Sequence, residues 1–413
     1  MRPGLLIALL VLVVTVLPEA GADRLALAAN HTLQQIEGTT QTFQNSFDQY
    51  VHDDSIVGAG YVFVKDGQAI EWHAVGMADR DLKQSVDQNT IFHWGSITKT
   101  LTAVAVMQLR DRRQLSLDDS ITKYVPELTR IHSDYGPVSQ VTLRHLLSHS
   151  AGFQGPTWPY RDDTKPWQPF EPTEWAQLVA MMPYQELAFK PGSKYSYSNP
   201  AFIYLARAIE KVSGLSYQTY VQRNILTPLG MTHSYSNLTP ARWAKDRSNN
   251  YTVTLDTNGH ESVTANGREF DTGITTPNGG LNAPLGDLVR WVAFLTSAGA
   301  ARAPQILSRS SLEEMWRPVV AMNAEPRYLQ YMGLSFFLDQ RTGRSGTTTF
   351  IGHTGSQAGF RAFVEFNPTN RKAVIAALNT SHASGHSESE TDRAHRSRDG
   401  FNALREQAFA LLQ

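Results

Sequence analysis

The 413-residue chain contains no cysteine. That absence removes disulfides, thiolate metal sites, a cysteine nucleophile and a lipid-modified cysteine, so catalysis must run on oxygen or nitrogen groups. An excess of one charge is also missing: 37 Lys and Arg stand against 38 Asp and Glu, for a net charge of −1. Nothing in that balance recruits nucleic acid or an acidic membrane surface. No G-x-S-x-G occurs, which argues against an α/β-hydrolase with its nucleophile elbow. After the first residues no apolar run is long enough to span a bilayer.

What is present begins with an address. Arg2 precedes an apolar run from Leu5 to Leu17 broken only by Thr15, and Ala20-Gly21-Ala22 supplies small residues for cleavage. The pattern predicts a secretory signal peptide over 1–22 and an exported mature chain over 23–413, periplasmic or extracellular, with no membrane span left after cleavage.

Further along, Leu33, Ile36, Phe43 and Phe47 have helical spacing, and "GAGYVFVKDGQAIEWHAVG" reads as two strands about an Asp66-Gly67 turn. From Thr98 to about Trp316 the text is mostly helices and loops; from "YMGLSFFLDQ" strands return, and "FNALREQAFALLQ" closes the chain as a helix. Strands at both ends with helices between predict an α/β (α+β) protein. Its mixed, mainly antiparallel sheet would be drawn from about 23–90 and 330–413, with a helical lobe over about 91–329 inserted in the middle. The polar stretch "SHASGHSESETDRAHRSRDG" shows no apolar periodicity and reads as a mobile loop.

The tetrapeptide Ser-Ile-Thr-Lys occurs twice, at 96–99 and 120–123. The first copy follows Gly95 and opens a helix with Ile97, Leu101, Val104 and Ala105 on one apolar face. Ser96 therefore sits at a helix N-terminus, where unpaired N–H groups and the dipole favour developing negative charge. Lys99 lies one turn on, within reach of the serine oxygen, and burial beside Phe92 and Trp94 lowers a lysine pKa toward that of a useful base. The second copy follows Asp118 and Asp119, which hold a lysine protonated, and Pro126 limits any helix there. Lys123 reads as a solvated surface charge.

Tyr-Ser-Asn is duplicated too. Tyr197-Ser198-Asn199 lies between a Pro-Gly turn and an apolar helix, held at both ends, whereas Tyr235-Ser236-Asn237 sits in a polar stretch with little to anchor it. A tyrosinate at Tyr197 can accept the Ser96 proton, and the Asn199 amide can orient a substrate carbonyl. In "TFIGHTGSQAGF", His353-Thr354-Gly355 ends an apolar strand. Gly355 permits close approach to the backbone, and the N–H of Ser356 pairs with that of Ser96 as a prospective oxyanion hole.

In these motifs the sequence resembles the serine β-lactamase and penicillin-binding-protein superfamily, in the class C β-lactamase-related branch of D,D-carboxypeptidases, D-aminopeptidases and esterases. Ser96-x-x-Lys99 is similar to that family's nucleophile motif, Tyr197-x-Asn199 to its second motif and His353-Thr354-Gly355 to its Lys-Thr-Gly motif. "TLRHLLSHSAGF", "NILTPLGM" and "NGGLNAPLGDLVRW" extend the likeness from about Gly58 to Asn379. The resemblance implies an acyl-enzyme mechanism with Ser96, Lys99 and Tyr197 as catalytic residues and Asn199, His353, Thr354, Gly355 and Ser356 binding substrate. It calls for no metal and no cofactor, and for a small-molecule or peptide substrate. One position departs: His353 stands where the family has lysine. A mostly neutral ring there weakens the case for a dedicated β-lactamase or carboxypeptidase, and titration about the ordinary histidine pKa of about 6.5 would switch carboxylate binding on at low pH. A non-catalytic sensor that keeps the pocket is the competing function. His145 and His149, and His382 with His386, have spacings compatible with metal but read better as structural histidines, and Tyr195 reads as packing.

Overall fold

The computed structural model describes residues 40–153, 172–256, 258–297, 306–325, 328–343, 346–383 and 388–413. Residues 1–22 and His386 lie outside the described residues. Helix α1 (40–53) leads into strand β1 (Gly58–Lys65), which turns at Asp66 and Gly67 into β2 (Gln68–Asp79). Both turn residues have positive φ, +52° and +76°, the geometry that a two-residue hairpin needs to match strand twist. Next come β3 (Gln84–Ser85) and β4 (Ile91–His93), a 3₁₀ turn Gly95–Ile97, and α2 (Thr98–Asp111).

The central segment holds α3 (Leu143–Leu147), α4 (Trp175–Met181), α5 (Pro200–Ser213), α6 (Tyr217–Val221), α7 (Thr276–Gly279), α8 (Leu285–Ser297) and α9 (Arg309–Met315). It is not purely helical. Strands β5 (Tyr235–Ser236), β6 (Asn250–Leu255), β7 (Glu261–Gly267) and β8 (Leu281–Pro284) enter two small sheets, ordered β4-β8-β5 and, with β15 (Thr380–His382) from near the chain end, β15-β6-β7. The last stretch supplies β9 (Val320–Glu325), β10 (Tyr328–Met332), β11 (Phe337–Gly343), β12 (Gly346–Gln357), β13 (Phe360–Asn367), β14 (Lys372–Leu378), β15 (Thr380–His382) and α10 (Glu388–Leu411).

The large sheet has nine strands in the order β3-β2-β1-β14-β13-β12-β11-β10-β9, with neighbours antiparallel. Both chain ends meet at its centre, where Tyr61 faces Ala376 and Phe63 faces Val374. The period of two divides side chains between two cores. Val62, Val64, Ile375 and Ala377 join the helical lobe on one face. Tyr61, Phe63, Val374 and Ala376 pack on the other against Phe43 and Phe47 of α1 and Phe401, Leu404 and Phe409 of α10.

Two local expectations fail. Helix α2 does not show one apolar face to a core; it is buried all round from Thr98 to Leu109. Its buried threonines survive there because their hydroxyls bond to backbone: Thr100 Oγ1 donates to Ile97 O at 2.7 Å and Thr102 Oγ1 to Pro277 O at 2.7 Å. The stretch read as a mobile loop is, from Glu388 on, the first half of α10. A helical stripe exists there, but it is polar: Glu390, Arg393 and Ser397 are buried at the same spacing that Phe401, Leu404 and Ala408 continue. Arg393 pairs with Asp54 and, at 2.6 Å, with Glu261, while Arg361 donates to Ser397 Oγ at 3.0 Å. Among the described residues no helix is long and apolar enough to cross a membrane.

Candidate active site

Trp94, Gly95 and Ser96 lie where β12 runs past the start of α2. Gly95 has φ +48°, and a methyl added to it would stand 3.0 Å from Ser356 N. One added at Gly355 would overlap the Trp94 carbonyl oxygen and stand 3.5 Å from Ser96 N. The two glycines thus let backbone press on backbone and bring the amides of Ser96 and Ser356 to one place. Thr98 locks the turn, donating to Gly95 O at 2.6 Å while accepting from Leu281 N of β8 at 2.9 Å.

Lys99 is fully buried. Its Nζ donates to Ser96 Oγ at 2.9 Å and to the Asn278 carbonyl of α7 at 2.8 Å, and lies 4.9 Å from the centre of the Tyr197 ring and 5.5 Å from that of Phe202. No carboxylate is among these partners. Burial therefore holds its pKa well below the ordinary lysine value and favours the neutral amine. Burial is the main influence on Tyr197 and pushes its phenol above the usual range, outweighing the opposing pull of Ser96. The expected tyrosinate is thus replaced by a neutral phenol: the packed rings desolvate an anion more than one hydrogen bond repays.

Asn199 opens α5, and its Oδ1 is buried with no partner among the described residues, as is that of Asn278. His353 is buried and stacks on Phe337 at 4.5 Å. Its Nδ1 lies 2.6 Å from the Thr354 carbonyl, which can only accept, so the proton sits on Nδ1 and Nε2 is bare, without a partner among the described residues. Burial is the main cause that lowers its pKa, to about 3. The expected charging of this ring near pH 6.5 is corrected accordingly. Thr354, Gly355 and Ser356 pair with Phe363, Ala362 and Arg361, with Ser356 exposed at the strand end. Tyr195 stands edge-on to His149 at 6.1 Å.

The second copies fall elsewhere. Ser120 caps a 3₁₀ turn, accepting from Thr122 N at 3.3 Å, and Lys123 pairs with Asp119 at 3.1 Å on the surface. Tyr235 is better anchored than expected: it is buried in β5, stacks on Trp243 at 5.5 Å and bonds Thr239 Oγ1 at 2.5 Å, while Asn237 Oδ1 accepts from Thr272 N at 2.9 Å. Its partners are structural ones. The two histidines of "HLLSH" also part company. His145 forms a capping box with Thr142, whereas His149 reaches Tyr197 and Ser198. Sequence reasoning missed His149, Asn278 and Phe202 as neighbours of the site, because nothing in their local text points to a contact across so many residues.

Among the described residues, a nine-stranded antiparallel sheet backed by helices, with a half-buried serine bonded to a buried lysine where a helical lobe meets the sheet beside β12, defines the β-lactamase/transpeptidase-like fold. The chain matches the beta-lactamase family over residues 43–397 and belongs to it. It is 30% identical over 208 residues to esterase EstB of Burkholderia gladioli, covering 48% of this chain and 52% of that one. To penicillin-binding protein 4* of Bacillus subtilis it is 25% identical over 328 residues, covering 76% of this chain and 66% of that one. The chain thus spans about half the length of the esterase and just under two thirds of the penicillin-binding protein. The octameric penicillin-binding protein homologue from Pyrococcus abyssi superposes with a TM-score of 0.69 at 26% identity, covering 83% of this chain and 74% of that one. The family is of serine-hydrolase type, with esterase and penicillin-binding relatives.

Proposed function

We propose that the protein is an exported serine hydrolase that cleaves ester or blocked-amide substrates through an acyl-enzyme on Ser96. The observation that carries this reading is the 2.9 Å bond between Lys99 Nζ and Ser96 Oγ, made by a lysine whose pKa burial holds well below the ordinary value. As Ser96 Oγ attacks the acyl carbon, Lys99 takes its proton. The amides of Ser96 and Ser356 meet the charge that develops on the carbonyl oxygen, and Asn199 orients the acyl group. Tyr197, which burial keeps protonated by raising its pKa, passes a proton to the leaving group and recovers one from Lys99. Water then attacks the ester by the reverse route and frees the acid.

Substrate class follows from His353. A neutral ring with a bare, buried Nε2 offers no positive charge to a carboxylate and presents a lone pair instead. Substrates without a free carboxylate beside the scissile bond are therefore preferred. The Arg2, Leu5–Leu17 and Ala20–Ala22 pattern supports export within the same reading.

A fluorophosphonate probe followed by peptide mass spectrometry tests the nucleophile. The adduct is expected on Ser96. Ser96→Ala should lose both labelling and p-nitrophenyl ester hydrolysis, and Ser120→Ala should keep both within about twofold, as surface changes do. Equal losses from the two variants would sink the assignment.

A further inference from the structure

His149 is at once strained, buried and clamped to the tyrosine motif. Its φ is +53°, a left-handed conformation that costs a non-glycine residue about 1–3 kcal/mol unless its surroundings impose it. What imposes it is Tyr197-Ser198 and the residue before them. The His149 carbonyl accepts from Ser196 N at 2.8 Å, and its Nδ1 accepts from Ser198 N at 3.0 Å. The ring stacks on that of Tyr197, with centres 4.2 Å apart and planes 25° from parallel. Phe202, one of the rings near Lys99 Nζ, lies 5.2 Å from the imidazole on its other contacts. Backbone and side chain of one residue thus hold the Tyr195–Ser196 peptide, the Tyr197 ring and the Tyr197–Ser198 peptide.

The tautomer follows without ambiguity. A backbone amide can only donate, so the Ser198 bond requires a bare Nδ1 and places the proton on Nε2. A ring that served only to fill space would need neither this bond nor a left-handed backbone. Resting on the acyl-enzyme reading above, we propose that His149 is a positioning residue that fixes the Tyr197 hydroxyl at Ser96 Oγ, by stacking on its ring and accepting the amide that follows it. The residue donates to or accepts from no reacting atom, and its proposed effect runs through Tyr197.

Two substitutions divide the two contacts. His149→Asn keeps an acceptor at the Nδ1 position and tolerates positive φ, but removes the stacked ring. His149→Phe keeps a flat ring, loses the acceptor and is strained. The readout is the fluorophosphonate labelling rate at Ser96 in the full chain, with the end point of labelling counting folded sites. Misplacement of a catalytic group costs up to about 10²-fold. His149→Phe is expected to slow labelling by about 100-fold and His149→Asn by about tenfold, with KM for p-nitrophenyl acetate unchanged.

The decisive comparison is the same pair of changes in a Tyr197→Phe background, where no hydroxyl remains to be positioned. There each should cost less than about twofold. Losses of equal size in both backgrounds overturn the proposal, as does a loss of folded sites with an unchanged rate per site. A parent protein that takes no label at Ser96 removes the acyl-enzyme reading and this role with it, whereas a labelled parent with equal losses removes only the role.

Discussion

Residues 96–99 and 120–123 spell the same tetrapeptide, and the fold treats the two in opposite ways. Lys99 has no exposed surface and bonds a hydroxyl and a carbonyl, whereas the Lys123 side chain is 58% exposed and pairs with Asp119. Burial lowers the pKa of the first, and the Asp119 hydrogen bond raises that of the second. Ser96 has a buried amine on its oxygen; Ser120 spends its oxygen capping a turn. Identical residue types three apart are therefore not a site. The site is made by what arrives from elsewhere in the chain: Asn278, Tyr197 and the end of β12 reach the first copy only.

The contrast is broken most severely at the lysines. Lys99→Ala should lower the acylation rate by roughly 10²–10⁴-fold, the usual worth of a positioned base, while Lys123→Ala should leave it unchanged. Single-turnover kinetics with a p-nitrophenyl ester measure both, and parity between them would mean that burial does not select the base.

The tyrosines come next. Tyr197→Phe should slow acylation by about 10²-fold, toward the lower end of that range because Lys99 remains in place. Tyr235→Phe removes a hydrogen bond to Thr239 and should cost about 1 kcal/mol of stability in denaturant titration, with acylation unaffected. A Tyr235→Phe enzyme that acylates as slowly as Tyr197→Phe contradicts the separation of the two motifs.

The smallest effect is expected at His353. With its pKa lowered to about 3 by burial, the ring stays neutral across pH 5.5–8. The preference for a methylated substrate over its free-carboxylate partner should then be flat over that window, read as a ratio of KM values. His353→Lys, which supplies a charge, should tilt the ratio toward the free acid by about tenfold, as an opposite charge placed near a carboxylate does. A ratio in the parent that swings about pH 6.5 would show a ring in contact with water.

Much of this could be read beforehand, for identifiable reasons. The Asp66-Gly67 hairpin and the β12–β14 strands declare themselves because two-residue turns and β-branched runs are local signals. Ser96, Lys99, Tyr197 and His353 were legible through three ordered motifs. Three things were hidden. The first half of α10 buries Glu390, Arg393 and Ser397, a stripe with helical period but no apolar residues, so a search for hydrophobic periodicity passes over it. Tyr235 looked unanchored because its anchors, Trp243, Thr239 and strand β8, come from separate stretches. The charge states of Tyr197 and His353 depend on desolvation by packed neighbours, which no spacing of letters conveys.

The meeting of both chain ends at β1 and β14 has a consequence for the order in which the molecule can assemble. Ala59 pairs with Leu378, and Gly58 N donates to Asn379 Oδ1 across 321 positions. Until a ribosome has released nearly the whole chain, β1 and β2 are a lone hairpin with an unpaired edge, and α1 has no α10 to share its core. Contacts of such separation are closed late and slowly. A truncation that reaches back into β14 (Lys372–Leu378) therefore removes the partner of β1 at the middle of the sheet rather than a tail.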